Sequence, residues 1–376
     1  MHNQSSHSHS ALTGLTVIDL TRVLGGPYCT QILADHGANV LKIEPPSGDE
    51  TRMWGPPFVG DTAAYFVGVN RNKEGMSLDL SQEQGRAFLR TLLADADILV
   101  ENFKPGTLEK WGLGYQTLQQ EFPALIHCCI SGFGADGPLG GLPGYDACAQ
   151  AMCGLMSVNG EKNGDPLRVG LPVVDMVTGL NAAIAILMAV NERHNSGLGQ
   201  YLDITLYDCA ISLLHPHAPN YFNSGKIPGR TGNDHPNIAP YESYATGEGE
   251  IFLAVGNNRQ FALLCQKLNH PALAEDARFI NNADRLQNRS QLREVLSAIL
   301  LEYKAQELAR DLLELGVPAA PINNVAQLLE HPHTAHRNMV IEQDGYIGIN
   351  TPIKLSRTPA RFRKGAPALQ KPSFEY

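Results

Sequence analysis

Short apolar runs alternate with amphipathic stretches along the first 130 residues. Thr16-Val-Ile-Asp-Leu20 is a β-rich run. The loop Thr21–Gly26 leads to Pro27, a residue suited to a first helical position, and Gly37 suits the left-handed conformation just past a helix end. Asn39–Glu44 reads as a second strand, stopped by Pro45-Pro46. Met76–Leu80 reads as a third, and Ser81-Gln-Glu-Gln84 has the form of a capping box opening a helix to about Ala94. Ile98–Glu101 and Leu125–Ile130 supply further strands, with a helix near Tyr115–Phe122 between them. Strands separated by helices of this length predict βαβ units and a parallel sheet, an α/β fold. Such a sheet binds its ligand outside the carboxyl ends of its strands. That rule singles out the loops Thr21–Gly26, Asn102–Gly106 and Ser131–Asp146.

The pattern changes after Gly199. Tyr201–Ala210 is mixed, and Asn223–Pro240 is a connector rich in Gly, Pro and Asn. Beyond it, Ile251–Val255 predicts a strand, Leu296–Leu315 an amphipathic helix and Met339–Ile353 a β-hairpin. The expected organisation is a flexible leader at 1–10, a large domain over 11–222, a small αβ domain over 223–315 and a C-terminal part over 316–376.

Composition narrows the function classes. Lys and Arg number 29 against 38 Asp and Glu, a formal charge of −9 that argues against a nucleic-acid binder. Hydrophobic residues at 43% suffice for a sizeable core. The longest unbroken apolar run, Ala182–Val190, is about half of what a bilayer span needs, so no membrane partner is expected. The first residues have neither a basic start nor an apolar core, which argues against a secretory signal. The seven cysteines are odd in number and lack paired zinc spacing, so buried reduced thiols in a cytoplasmic protein are expected. His331 and His333 flank a proline with no carboxylate to complete a metal site, and no metal is expected there.

Gly132-Phe-Gly-Ala-Asp-Gly137 matches G-x-G-x-x-G after a predicted strand. Pro138, Gly140, Gly141 and Pro143 follow, so no helix can open at the third glycine. A glycine-rich surface loop is the expected structure, which disfavours a nicotinamide-dependent oxidoreductase. Asp175 lies in the first turn of a helix that is apolar to Val190 and ends with Arg193, His194 and Gly197. It reads either as a capping residue or as a nucleophile, its anion favoured by the helix dipole and its flank desolvated. Asp146 also follows a turn and reads as a cap of the helix it opens. Asn102–Gly106 and Asn70–Lys73 combine amides, cations and an aromatic ring at strand ends, a set that suits an anionic, adenine-bearing ligand.

Together these segments resemble the class III CoA-transferase family, the group containing formyl-CoA transferase and carnitine CoA-transferase. The matching motifs are Leu15–Pro27, Val40–Glu44, Gly48–Arg52, Asn70–Lys73, Glu101–Gly106, Gly144–Ala147, the segment around Asp175 and Gly197–Gln200. They span residues 11 to 369. Arg52–Gly60, Gly164–Arg168 and Gly256–Gln260 are similar to the succinyl-CoA:glutarate type within that family.

The resemblance implies a Rossmann-like large domain built from both chain ends, a smaller αβ domain and an interlocked homodimer. It implies Asp175 as the nucleophile of a CoA relay through an aspartyl anhydride and an aspartyl-CoA thioester. CoA is then a substrate, and no tightly bound cofactor is expected. The CoA contacts it implies are Val23, Leu24, Gly25, Asn72, Lys73, Asn102, Phe103, Lys110, Gly144 and Tyr145. Gly232, in the Gly229–Asn233 loop, is expected to assist at the substrate. Of Arg52, Arg71 and Arg168, Arg52 is the first choice to hold the remote carboxylate of a dicarboxylic acceptor, because a guanidinium grips a carboxylate at two points and stays charged when desolvated. The alternative is a local pair with Asp49 or Glu50, or a contact with a CoA phosphate. Two departures stand out. Pro45 replaces an arginine of formyl-CoA transferase, and the chain ends differently, at Gln370–Tyr376. The rival reading is an acyl-CoA racemase of the same fold. Its histidine lies in a Gly-His-Asp motif, whereas Gly144-Tyr-Asp146 offers a tyrosine, which with an ordinary pKa of about 10 carries protons poorly at neutral pH.

Overall fold

In the computed structural model, which describes residues 10–370, the N-terminal alternation runs in chain order as follows. β1 (Thr16–Asp19), α1 (Gly25–Asp35) and β2 (Asn39–Glu44) precede a short ribbon, β3 (Phe58–Val59) with β4 (Thr62–Ala63). Then come α2 (Ala64–Val67), β5 (Glu74–Ser77), α3 (Glu83–Leu93), β6 (Ile98–Glu101), α4 (Thr107–Lys110), α5 (Tyr115–Glu121) and β7 (Ile126–Ser131). α6 (Asp146–Met152), α7 (Leu155–Val158), α8 (Val173–Ser196), β8 (Tyr201–Thr205), α9 (Leu206–Ser212) and α10 (His217–Ser224) follow.

Six strands form one sheet in the order β5-β2-β1-β6-β7-β8, and every neighbouring pair is parallel. Successive residues of a strand face opposite ways, so β1 feeds two cores. Val17 packs with Leu33 of α1 and with Val174 and Ile186 of α8. Ile18 packs with Leu89 and Leu93 of α3 and Leu118 of α5. Helices thus cover both faces, as a parallel sheet requires. The strand order reverses between β1 and β6, which makes the crevice at their carboxyl ends the topological switch point.

Several local expectations are corrected. β8 is a regular strand, with Tyr201 opposite His127 and Thr205 opposite Ser131. It lies at the sheet edge, half exposed, with Leu202 and Ile204 packed on the core and Tyr201 and Asp203 outward. The alternation is present, but it covers only five residues and runs straight into α9. Ser81 does not cap α3. Asp79 Oδ1 accepts both its backbone N–H at 2.9 Å and its hydroxyl at 2.6 Å, and the helix begins only at Glu83. α8 runs to 24 residues with a mean hydropathy of 2.0 over its most apolar window, long and apolar enough to cross a membrane by length and composition. Counting only unbroken runs missed this, because Thr178, Gly179 and Asn181 interrupt the run without ending the helix. Cys148 is exposed while the other six cysteines are buried, since α6 turns it away from the buried face of Asp146 and Ala149.

By contacts the chain divides into two compact units. The larger takes in the described residues up to Leu155, Arg168–Gly225 and those from His333 on; the smaller takes in Met156–Leu167 and Lys226–Pro332. The smaller unit contains β9 (Tyr241–Ala245), β10 (Glu250–Ala254), α11 (Asn258–Lys267), α12 (Asn282–Gln287), α13 (Arg289–Leu300), α14 (Ala305–Glu314), β11 (Ala319–Pro321) and α15 (Val325–Glu330). The boundary expected at 315 falls instead at Pro332, because β11 pairs with β10, Ala319 opposite Leu253, as the outer strand of a three-stranded antiparallel sheet. The single helix expected over Leu296–Leu315 is two helices, α13 and α14. At the break, Gly247 N–H donates to Tyr303 O at 2.8 Å and Ala305 N–H to Glu248 O at 3.0 Å.

After α16 (Pro332–His336), the expected hairpin forms as β12 (Val340–Gln343) and β13 (Tyr346–Ile349). The chain then returns along the larger unit. Arg361 N–H donates to Asp35 O at 3.0 Å, and Asn72 N–H to Lys364 O at 3.0 Å. The leader through residue 9 and the divergent end at 371–376 lie outside the described residues.

Candidate active site

Asp19, the last residue of β1, pins the loop that follows it. Its Oδ1 accepts the Thr21 N–H at 2.9 Å and the Thr21 hydroxyl; its Oδ2 accepts the Thr30 hydroxyl at 2.6 Å and Lys73 Nζ at 3.0 Å. Burial alone would raise this carboxyl, but Lys73, Lys42 and the two hydroxyls outweigh it and hold the pKa below the ordinary value. Asn102, just past β6, clamps the next residue. Arg22 N–H donates to its Oδ1 at 3.0 Å, and its Nδ2 donates to Arg22 O at 2.8 Å. Val23 then adopts φ 70°, a strained conformation for a β-branched residue, worth about 1–3 kcal/mol and found mainly where a site demands it.

These residues form one wall of a cavity of about 180 Å³. Arg22 and Val23 come from the loop after β1, Asn102–Pro105 from the loop after β6, and Ile130–Gly132 from the end of β7. Leu142–Tyr145, Glu50, Leu206 and Asp175 complete it. The three loops marked by the strand pattern meet here. A Cβ on Gly132 would stand 2.8 Å from Gly144 Cα, so glycine at both positions lets the 133–143 loop close on itself.

Asp175 stands in the first turn of α8 and is not its cap. The N–H groups that α8 leaves unpaired are taken by Asp146 of α6, whose Oδ2 accepts from Val174 at 2.8 Å and Asp175 at 3.1 Å. Both capping expectations are thereby corrected: Asp146 caps α8, not the helix it opens. Burial first, and then the charge of Asp146, push the Asp175 carboxyl up to about 7. They outweigh the pull of the helix dipole toward the anion. α1 approaches Asp175 at Gly25. A Cβ on Gly25 would lie 3.2 Å from Asp175 O and 3.7 Å from its Oδ1. Tyr65 of α2 senses the same charges. Burial, Asp175, Asp146 and Asp49 push its hydroxyl up to about 12, so it stays protonated.

A second cavity of about 220 Å³ shares Arg22 and Phe103 with the first. It is lined further by Leu20, Thr21, Ile43–Pro45, Asp49, Leu78–Ser81 and Trp111. Phe103 and Trp111 meet edge to face with centroids 5.6 Å apart. Leu78–Ser81 was missed in the sequence, although it too follows a strand at the carboxyl edge, β5. Arg22 and Glu50 were not singled out, being charged residues of ordinary appearance, and Lys104 was marked only as the cation of the Asn102–Gly106 segment.

Of the residues expected to bind CoA, Val23, Asn102, Phe103, Gly144 and Tyr145 line the cavity with Asp175. Leu24 and Gly25 are buried behind Val23 at the start of α1. Lys110 is exposed on α4 and lines neither cavity. Asn72 and Lys73 line neither cavity. Lys73 Nζ donates to Asp19, Pro27 O and Asn70 Oδ1, and burial, only partly offset by Asp19, pushes its pKa down to about 8. Asn72 Nδ2 donates to Asp35 and Arg361 O, while its Oδ1 accepts from Arg363 N–H. Both side chains are used inside the larger unit.

Arg52 likewise lines neither cavity and is held inside the larger unit. Its Nε and Nη2 grip the two oxygens of Glu44 at 2.8 and 2.7 Å, its Nη2 also donates to Pro367 O, and its guanidinium lies 3.7 Å from the Phe66 ring centroid. Gly232 belongs to the smaller unit. There it has φ 64° and its N–H donates to Gly160 O at 3.1 Å.

The chain matches the family described as CoA-transferase family III over residues 12–372. It is 40% identical over 370 residues to the succinate–glutarate CoA-transferase of Agrobacterium fabrum, covering 95% of this chain and 92% of that protein. It is 39% identical over 338 residues to the succinyl-CoA:glutarate CoA-transferase of Homo sapiens, covering 89% and 76%. Among solved structures, a CAIB/BAIF family protein from Brucella suis superposes with a TM-score of 0.88 at 42% identity, covering 96% of this chain and 97% of that one.

Proposed function

The chain belongs to CoA-transferase family III, and we propose that it moves CoA from succinyl-CoA or a similar acyl-CoA to a small dicarboxylic acid through the carboxylate of Asp175. The observation that carries this reading is the place of Asp175, in the wall of a cavity at the switch point of a parallel sheet. The acids are those of the relatives named above.

In the relay, the Asp175 carboxylate attacks the thioester carbonyl. The C–S bond breaks, CoA leaves as the thiolate, and a mixed anhydride remains. The thiolate attacks the aspartyl carbonyl, the donor acid leaves as its carboxylate, and an aspartyl-CoA thioester stands in its place. The acceptor carboxylate attacks that thioester, expelling thiolate and forming a second anhydride. The thiolate then takes the acceptor acyl group, and Asp175 returns to a carboxylate. A carboxylate suits the task because every intermediate keeps an activated acyl carbon. Water would discharge those intermediates, which fits a nucleophile on the desolvated flank of a largely apolar helix.

CoA would run through both cavities, its adenine against Phe103 and Trp111 beside Leu78–Ser81, its phosphates at Arg22 and its thioester toward Asp175. Arg22 is the cation among the residues lining the second cavity, where Pro45 stands in place of an arginine of formyl-CoA transferase. Arg22 and Lys104 are the cations lining the cavity that holds Asp175. On α8, Leu180, Ile184, Leu187 and Met188 remain 38–67% exposed, and a second copy of the chain is the cover we assign to this face. The unpaired cysteines fit a reducing compartment such as the cytoplasm.

The test is a panel of acyl-CoA donors against carboxylate acceptors, read by mass spectrometry. Succinyl-CoA with glutarate should give glutaryl-CoA and succinate. Transfer confined to monocarboxylates would overturn the acceptor class, and no transfer at all would overturn the reading.

A further inference from the structure

Two residues on one face of α6 hold the segment that delivers Asp175. Asp146 Oδ2 accepts the N–H groups of Val174 and Asp175. Gln150, one turn on, donates from Nε2 to Asp146 Oδ1 at 2.6 Å and to Leu171 O at 3.4 Å, and its Oε1 accepts the Val169 N–H at 2.8 Å. Gln150 is fully buried and Asp146 nearly so. Neither lines the cavity of Asp175, so Asp146 bears on the reaction through the backbone it holds and the charge it sets beside Asp175.

The choice of residue is informative. Ser, Thr or Asn would cap a helix as well as Asp. An aspartate adds a negative charge beside the nucleophile, which raises the energy of the free Asp175 carboxylate. That penalty disappears whenever Asp175 becomes a neutral anhydride or thioester. We propose that Asp146 is a positioning residue for CoA transfer, which fixes the first turn of α8 through two backbone N–H groups and sets a charge whose repulsion is relieved on acylation of Asp175. The proposal rests on the relay described above. The groups that face Asp175 are Asp146 from α6 and Tyr65 from α2, with Arg22, Glu50, Lys104 and Tyr145 in the cavity lining; α1 presents Gly25 and α9 presents Leu206.

The test uses two variants of the full chain. Asp146→Asn keeps an acceptor oxygen without the charge, and Asp146→Ala removes both. In Asp146→Ala, kcat should fall about 10- to 100-fold, as expected for a displaced nucleophile, with KM for acyl-CoA within about threefold of the parent. Asp146→Asn should recover part of kcat, and the acidic limb of its pH–rate profile should move to lower pH. A limb that coincides with that of the parent, or losses carried by KM rather than kcat, would overturn the proposal. Hydroxylamine trapping separates it from the functional reading. A parent that transfers CoA without a trapped adduct at Asp175 overturns the relay. A parent that forms the adduct while Asp146→Ala forms it equally fast overturns the role of Asp146 alone.

Discussion

A side-chain carbon on Gly179 would stand 2.5 Å from the carbonyl oxygen of Gly25. α1 and α8 therefore touch backbone to backbone one turn below Asp175, on the same helix face. Gly179→Ala must push α1 away, at a cost of about 1–3 kcal/mol for overpacking. Because Gly25 also abuts Asp175, CoA transfer should fall with stability. Denaturant titration alongside the transfer assay checks both, and an unchanged midpoint would mean that the helices are not in contact at this point.

Asp175→Ala should abolish transfer while leaving acyl-CoA binding and thermal unfolding near those of the parent. The cavity wall loses only a carboxyl, and the cap of α8 resides on Asp146. Turnover above a few per cent of the parental rate would rule Asp175 out as the nucleophile.

The position of the Asp175 pKa gives a pH dependence of definite sign. The anion is the nucleophile, so kcat/KM should rise with pH through about 7. Stability should run the other way. A carboxyl whose pKa is raised by folding, from 3.8 to about 7, contributes stability below its unfolded value that is lost as pH rises through the folded value. Asp175→Asn should accordingly be more stable than the parent at pH 8, with the gap closing toward pH 4. A gap that widens on acidification would reverse the sign and exclude a raised pKa.

Arg52 is a structural partner of Glu44, which lies 3% exposed. Arg52→Ala leaves that carboxylate buried without its cation, with the Asp49 N–H as its remaining donor, a loss of about 3–5 kcal/mol. The melting temperature should drop steeply, and the relative KM values for mono- and dicarboxylate acceptors should stay as they are. A KM rise confined to dicarboxylates, without loss of stability, would return Arg52 to the substrate.

Arg22 has a half-exposed side chain and lines both cavities. Arg22→Ala should raise KM for acyl-CoA about 10- to 100-fold, the weight of a charge-assisted contact of about 1.5–3 kcal/mol. It should leave KM for the acceptor acid little changed. Initial-rate kinetics with both substrates varied would show the split, and the opposite split would assign Arg22 to the acceptor.

The parallel sheet of βαβ units was legible in the residue pattern alone. Strand and helix periodicities are local, and the carboxyl-end rule converts their alternation into three loops, which do meet around Asp175. The edge strand β8 was not legible, because its alternation covers only five residues and runs straight into α9. Nor was the fate of the polar residues. Arg52, Asn72 and Lys73 sit in segments that look like a site for an anionic ligand, and a loop cation reads the same whether it faces solvent or a buried carboxylate. Their partners are set by packing: Lys73 meets Asp19 from 54 residues away, and Asp146 caps α8 from 28 residues away. Sequence by itself determined the alternation of strands and helices over the first 130 residues and the loops that border the crevice, since these follow from local periodicity and the carboxyl-end rule. Which side chains remain free to act there was decided only by the tertiary structure, because a buried charge or an orphan N–H takes whatever partner the folded chain brings within hydrogen-bond reach.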